Sequence, residues 1–477
     1  MTLSYIPSDT NDEGIFKATA SGILPNGKPV VVNADGTVSV PFNATTIFAQ
    51  EAANSISIAT NGSGTFVIMY TGPASSYAGK AIAGTISGNT VTLGSAATFV
   101  SESNITINGA SIVYDPDSAK FILFYPDGSN SYYLTSRVAT VSGTSISFGT
   151  AVVMDSRNVT INSAAYDTNA NKVVCAWRGT SSNIVAAAAG TVSGTNISFG
   201  STATLASRTP NTSIATVYDA NANKTAVFYQ DNSTGHGYYV VGTVSGTSIS
   251  GGSTAAFAAA GTSHISASYD STAQKIVIAF SDTGSSNGSA VVGTISNTSI
   301  SFGSEATLSS SAIDATNTAY DSTNNKTFIF YDKGNAAMTG RMGTISGTSI
   351  SFGTETTITS GNSLHTSAVY DASAGKALLA YRRATNSDYG TLQALDTTFA
   401  TTNFTAENYI GISTGGTYAS GSTATVKIIG NTSNEQTSLT AGQAYYVQTD
   451  GTIGTTAADP SVFAGTAISA TKLIVKT

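Results

Sequence analysis

An eleven-residue phrase recurs through the chain at a nearly fixed interval. It first reads Gly84-Thr-Ile-Ser-Gly-Asn-Thr-Val-Thr-Leu-Gly94, then Ala139-Thr-Val-Ser-Gly-Thr-Ser-Ile-Ser-Phe-Gly149, and returns with small changes at Gly190, Gly242, Gly293 and Gly343. The start-to-start intervals are 55, 51, 52, 51 and 50 residues. A period in this range marks one supersecondary unit stacked many times, because a single unit cannot bury its own apolar face.

Each unit holds a second landmark: a Tyr-Asp pair, a polar turn, a Lys and an apolar run. The tyrosines are Tyr114, Tyr166, Tyr218, Tyr269, Tyr320 and Tyr370. Asp, Asn, Ser and Gly between two β-rich runs predict a hairpin, since their side chains bond local backbone and tolerate left-handed dihedrals. A calcium site in the same turns is disfavoured, because the carboxylates are too sparse for the ligand count calcium takes.

One unit therefore reads as four strands. The first ends in Tyr-Asp and the second is the Lys-led run. The third leads into Gly-Thr-Val-Ser-Gly, and the fourth is Thr-Ser-Ile-Ser-Phe-Gly with the Ala-Thr-Leu that follows. Strand two is nearly continuously apolar, as for a strand covered on both faces. Strand four alternates (Ile300 and Phe302 against Ser299 and Ser301), as for a strand with one face in water. Second-strand runs start at Lys120, Lys172, Lys224, Lys275, Lys326 and Lys376, and a diverged first copy is Thr65-Phe-Val-Ile-Met-Tyr70. The expected fold is all-β: a seven-bladed β-propeller of four-stranded blades. Tandem immunoglobulin-like domains would repeat near 100 residues, a β-solenoid would use shorter coils, and WD40 and kelch signatures are missing.

A ring needs fastening. The segment 36–42, with Ala-Thr-Thr-Ile-Phe48 after it, resembles a fourth strand and its sequel, yet precedes the first blade. It is expected to be the outer strand of the last blade, near Tyr389 to Phe399. Gly27-Lys-Pro-Val-Val-Val-Asn-Ala-Asp-Gly-Thr-Val38 parallels Gly442-Gln-Ala-Tyr-Tyr-Val-Gln-Thr-Asp-Gly-Thr-Ile453. Residues 1–35 and 404–477 are thus expected to form one small discontinuous β domain, with the propeller, 36–403, inserted in it.

Bulk properties narrow the function. Only 10% of residues are charged, against about 25% in ordinary globular chains, and hydroxyl and amide residues take their place. A net charge of -7 argues against nucleic acid, which needs clustered Lys and Arg. The longest basic run is Arg382-Arg383. The single Cys175 excludes an intrachain disulfide, and no Cys/His cluster has zinc spacing. No apolar stretch reaches the ~18 residues of a membrane span, and the start, Met1-Thr-Leu-Ser-Tyr-Ile-Pro7, lacks a signal peptide's pattern.

Three segments carry a resemblance: Lys17-Ala-Thr-Ala-Ser-Gly-Ile-Leu-Pro-Asn-Gly27, the repeated phrase, and the C-terminal stretch from Ala406-Glu-Asn-Tyr-Ile-Gly-Ile412 through Gln443-Ala-Tyr-Tyr-Val-Gln-Thr-Asp-Gly451 to Pro460-Ser-Val-Phe-Ala-Gly-Thr-Ala-Ile-Ser-Ala-Thr-Lys-Leu-Ile-Val475. Together they resemble tail-fibre and other virion structural proteins of marine tailed bacteriophages. That resemblance implies a surface-exposed virion protein, on tail or capsid, docked to other virion proteins through the terminal β domain. It brings no catalytic residues and no cofactor.

The strand-two to strand-three connections vary most, and the blades should present them on one rim. Their candidates for a host glycan or receptor are Arg178, His236, Tyr238, Asn287, Arg382, Arg383 and Tyr389. His264 and His365, each five residues before a blade tyrosine, are candidate channel positions able to meet a ligand or a pH signal; two plain polar positions on inner strands are the simpler account. Trp177, the only Trp, reads as core. No catalytic, metal or cofactor residues are assigned, and sialidase-type aspartate boxes are missing. The expected function is a tail-fibre or adsorption protein. The alternatives are a decoration protein without receptor binding and, third, an enzyme trimming surface polysaccharide.

Overall fold

The structure is a computed structural model, and it describes residues 14–73, 77–101, 109–179, 184–334, 337–359, 361–384 and 387–476. Every regular element among them is a strand apart from one short turn of 3-10 helix, Gly128–Asn130. The chain divides into two units. The larger comprises Thr45–Ser87 and Val91–Phe399; the smaller comprises residues up to Ala44, Gly88–Thr90, and residues from Ala400 onwards.

The larger unit is a β-propeller. Its Lys-led runs form the second strands: Lys120–Asp127, Lys172–Gly179, Lys224–Asp231, Lys275–Asp282, Lys326–Asp332 and Lys376–Arg383, with Thr65–Thr71 as the diverged copy. Each lies between an inner and a third strand, antiparallel to both. With sheet neighbours on both sides and other sheets across both faces, their interiors are buried almost throughout, as in Lys275–Asp282. Removing one such Val, Leu, Ile or Phe side chain from water stabilises the fold by about 1.5–3 kcal/mol.

The innermost strands close a cycle. Asn54–Thr60 lies beside Ser111–Asp115, which lies beside Val152–Asp167, then Pro210–Asp219, Ala255–Asp270, Ala315–Asp321 and Ser363–Asp371, and the last returns to Asn54–Thr60. Val152–Asp167 and Ala255–Asp270 each serve two sheets. Their first residues pair with the third strand of one blade, and their later residues become the innermost strand of the next.

The repeated phrase is a two-residue hairpin. In the second copy Ser142 pairs with Ser145 across Gly143-Thr144, and Gly143 has φ 61°, open to Gly without a Cβ penalty. Asn297 takes the same place with φ 56°, a conformation Asn tolerates. The phrase's last glycine has a different task. A Cβ on Gly149 would lie 1.8 Å from the Thr195 carbonyl oxygen of the next phrase, and on Gly94, Gly200 and Gly303 it would lie 1.9 Å from the corresponding oxygens of Thr144, Thr247 and Thr348. These four phrases thus rest their ends on the hairpins of their successors, in backbone contact that leaves no room for a side chain.

The Tyr-Asp pair joins blades as well. Asp167 accepts hydrogen bonds from the backbone N–H groups of Asn169 and Ala170, at 3.0 and 2.9 Å, capping its own turn. The Asn169 N–H also donates to Tyr218 Oη of the following blade, at 3.2 Å. Asn221 donates to Tyr269 and Thr272 to Tyr320 in the same way, at 3.2 and 3.3 Å. The acid folds the turn, and the tyrosine of the next repeat holds it.

Ring closure differs from the expectation at 36–42. The strand paired with Tyr389–Leu395 is Thr45–Ala52, with Gln393 opposite Thr45 and Thr391 opposite Ile47. Val38–Ser39 instead pairs with Val31 and Val32 in the small unit, where Val38 is fully buried. Pro41 has no N–H to give to a ladder, and Asn403 Nδ2 fixes the segment by donating to Ser39 Oγ and the Val40 carbonyl. The propeller therefore starts at Thr45, not residue 36, and ends at Phe399, not residue 403.

The small unit contains two five-stranded antiparallel sheets. One has the spatial order Ile15–Thr19, Thr423–Ile428, Tyr409–Thr414, Pro29–Val32, Val38–Ser39; the other runs Thr432–Ser433, Lys472–Val475, Phe463–Ser469, Ala444–Val447, Ile453–Gly454. Val31, Tyr409 and Ile412 of the first pack with Tyr445, Val447, Leu473 and Val475 of the second in one core. Residues 1–13 of the expected small domain lie outside the described residues.

Candidate functional site

The innermost strands surround a channel with a cavity of about 530 Å³. Its wall is aliphatic and hydroxylic: isoleucines such as Ile58, Ile112 and Ile265 alternate with serines and threonines. Many of those hydroxyls bond across blade junctions. Ser163 Oγ accepts from the Thr216 N–H at 2.9 Å, Ser266 Oγ from Thr318 N–H at 2.9 Å, and Ser367 Oγ from Ile58 N–H at 3.3 Å. Ser213 Oγ accepts from Ile265 N–H at 2.7 Å, and Asn317 Nδ2 donates to Thr366 Oγ1. An inner strand has no ladder partner on its channel side, so a hydroxyl one repeat away satisfies an N–H that would otherwise depend on water.

Titratable side chains on this wall are few: His264, His365, Asp314 and Asp332 among the described residues. Both histidines line the channel, each at a backbone irregularity. His264 and His365 have φ of 50° and 52° and sit where the pairing register slips, between Ser263 and Ser266 and between Leu364 and Ser367. Ser55, φ 47°, holds the equivalent bulge in Asn54–Thr60. A bulge re-aims the side chains it carries.

His264 reaches the channel solvent, yet the walls around it withhold bulk water and lower its pKa against the pull of the Asp314 carboxylate. Burial, aided by the Arg382 charge and opposed by Asp388, brings His365 down to about 4. At neutral pH His365 is an uncharged imidazole with one donor and one acceptor nitrogen. Sequence spacing locates both residues; the bulge that orients them has no signature in a single sequence.

The rim candidates lie at one end of the blades, where second strands end and third strands begin, and three of the seven are occupied. Arg178 Nη1 donates to the Asn211 carbonyl at 3.1 Å. Arg208, which no sequence pattern singles out, sits 4.0 Å above the ring of Tyr238 and 3.0 Å from Asp231 Oδ2. Tyr238 therefore has one face covered and is no open stacking platform. Arg382 bonds Asn54 Oδ1 and lies 3.5 Å from Asp388. His236, Asn287 and Tyr389 each open a third strand, and all three are half-buried, as is Arg383. Residues 180–183 and 385–386 of these connections lie outside the described residues. Trp177 is core: it is fully buried, and its Nε1 donates to Asp155 Oδ2 at 2.8 Å. Cys175 is fully buried and its thiol pKa is pushed well up. Among the described residues no group of three or more His, Cys, Asp or Glu could hold a metal.

No protein-family profile and no curated protein matches this sequence. Solved structures do match in fold. The Aleuria aurantia lectin in complex with Fucα1-6GlcNAc is 13% identical over 65% of this chain and 97% of its own, with a TM-score of 0.40. AofleA from Arthrobotrys oligospora is 12% identical over 68% and 93%, TM-score 0.43. The β-propeller domain of Cps50 (Swd1) from Myceliophteria thermophila is 8% identical over 74% and 99%, TM-score 0.48. This chain is similar to them in its β-propeller architecture.

Proposed function

We propose that this chain is a non-enzymatic structural protein of a phage particle, of the tail-fibre or adsorption class. Its small β unit docks to other virion proteins, and its propeller offers the channel and rim to uncharged glycans of the host surface. The observation that carries the ligand class is the makeup of the channel wall. It is lined by hydroxyls, amides and aliphatic carbons, with two imidazoles and two carboxylates, Asp314 and Asp332, as its titratable groups among the described residues. Such a wall matches the alternating hydroxyl and C–H faces of neutral sugars and offers little to phosphate or to strongly acidic polymers. The virion assignment rests on the sequence resemblance of the C-terminal stretch and the repeats.

A second reading has its own support. Many channel hydroxyls already serve the blade junctions, which suits a decoration protein that adds bulk and protection without binding cells. One experiment separates the two. The purified full chain is titrated onto host cells and immobilised neutral host polysaccharide, alongside a His264→Ala/His365→Ala double variant. Adsorption requires saturable binding that weakens at least about tenfold, or ~1.4 kcal/mol, in the double variant. Absence of binding to cells and polysaccharide, with particles less stable when the protein is lacking, makes decoration the function. Reducing ends released from the polysaccharide would overturn the non-enzymatic assignment.

A further inference from the structure

The two sheets of the small unit are copies of one another. Taken in chain order, their strands fall in the same spatial sequence: first, fifth, fourth, second, third. The agreement reaches single hydrogen bonds. Gly27 N–H donates to the Ser413 carbonyl as Gly442 N–H does to Ala467, and Ser413 N–H returns to Lys28 as Ala467 N–H returns to Gln443. Val32 to Asn408 is repeated by Val447 to Val462, and Ile428 to Gly14 by Val475 to Asn431. Asp35 caps the Thr37 N–H at 3.0 Å as Asp450 caps that of Thr452, also at 3.0 Å. Gly411 and Gly465 share φ values of 152° and 153°, and a Cβ on either would lie 2.0 Å from a carbonyl oxygen of the fifth strand, Lys427 in one copy and Ile474 in the other. Chance does not place the same glycine in the same rare conformation against the same neighbour.

The copies differ most between strands three and four. The connection of strands four and five differs too, 415–422 in the first copy against 470–471 in the second, and in the first it is tied down, Gly421 N–H donating to the Ala20 carbonyl and Ala20 N–H to that of Ser422. Between its third and fourth strands the second copy has eight residues, 455–462, most of them exposed. Between the corresponding strands, Val38–Ser39 and Tyr409–Thr414, the first copy has the whole propeller. The chain leaves and returns there as a pair: Phe42 N–H donates to Asn403 Oδ1 at 2.8 Å, and Ala44 N–H to the Thr401 carbonyl at 2.8 Å. Adjacent ends at an exposed connection are what an inserted domain needs if it is not to disturb its host.

We infer that the small unit is a tandem pair of one presentation module, and that the connection between strands three and four is a seat for a displayed domain. The first seat carries the propeller. The second, at 455–462, is a free seat of the same construction, able to carry a further folded domain. This holds whichever ligand the propeller takes.

The test uses the full chain. A fluorescent β-barrel reporter with adjoining termini is inserted between Ala457 and Ala458, and as a comparison between Gly421 and Ser422, the turn joining strands four and five of the first copy. The seat requires that the 457/458 insertion leave the thermal transitions of the small unit and the propeller shifted by less than about 2 °C, and that the 421/422 insertion abolish or markedly lower the small-unit transition. Loss of the small-unit transition at 457/458, or equal tolerance at both places, overturns the seat. A pair of single variants tests the duplication itself. Gly411→Ala and Gly465→Ala should lower the same transition by shifts within a factor of about two; a silent Gly465→Ala beside a damaging Gly411→Ala overturns it.

Discussion

Gly149→Ala should destabilise the propeller while Gly353→Ala, at the same place in a later phrase, should not. Gly149 is not in the left-handed region, so the substitution carries no penalty of that kind. Its cost is steric. The new methyl would sit 1.8 Å from the Thr195 carbonyl oxygen, so backbone on one side of the junction must move more than about 1 Å to restore contact distance. Overpacking of this kind costs roughly 1–3 kcal/mol. For a ring of roughly 350 residues, an unfolding entropy of ~2.1 cal/mol/K per residue converts 2 kcal/mol into a fall in Tm of about 3 °C. Gly353 ends the last phrase, and no further phrase follows it. There the nearest neighbour of an added methyl would be the Met342 carbonyl oxygen at 3.7 Å, ordinary contact. Loss of chain freedom in the unfolded state should make Gly353→Ala neutral or stabilising by about 0.4–1 kcal/mol. The assay is unfolding of the full chain by urea and by heat, followed by circular dichroism. Equal effects of the two substitutions would refute phrase-on-phrase packing as the reason for the glycine.

Two further outcomes can be checked in the same system. Ser163→Ala removes the acceptor of the Thr216 N–H in the channel wall; stability should fall by about 1 kcal/mol, and hydrogen exchange at the Thr216 amide should accelerate, while protection unchanged at that amide would show that water already serves it. His365 has its pKa lowered to about 4 in the folded chain, so between that value and ~6.5 the unfolded chain binds the extra proton. Stability should therefore fall as pH drops through this window and level off below it, and His365→Gln should flatten the loss; identical pH profiles for the two proteins would refute the assignment.

Much of the propeller is legible in the sequence because its repeats state the same local chemistry several times over. Buried second strands, alternating fourth strands and Asp-capped turns follow from residue pattern alone. What the pattern does not carry is whatever depends on the neighbouring repeat. Nothing in a single Tyr-Asp pair says that the aspartate folds its own turn while the tyrosine serves the turn before it. The closing strand lies a few residues beyond the expected one because 36–42 and 45–52 are both β-rich, and only Pro41 and the burial of Val38 separate them. At the rim, residue type suggests Tyr238 as a platform, but a cation on one face, from Arg208 thirty positions earlier, is a tertiary fact.

Beside the apolar packing of their second strands, the blade junctions repeat three polar or backbone contacts: a glycine against a carbonyl oxygen, a turn amide against a phenol, and a hydroxyl against an amide. Apart from the repeated tyrosine, none of these depends on the identity of a large side chain, and they recur around the ring. Blades so joined are interchangeable parts. Recombination between repeats can swap or shuffle blades while leaving these repeated contacts in place at each new seam. Natural relatives and laboratory chimaeras that exchange whole units from one Tyr-Asp pair to the next should therefore close into rings, letting the exposed connections diversify on a frame that stays fixed.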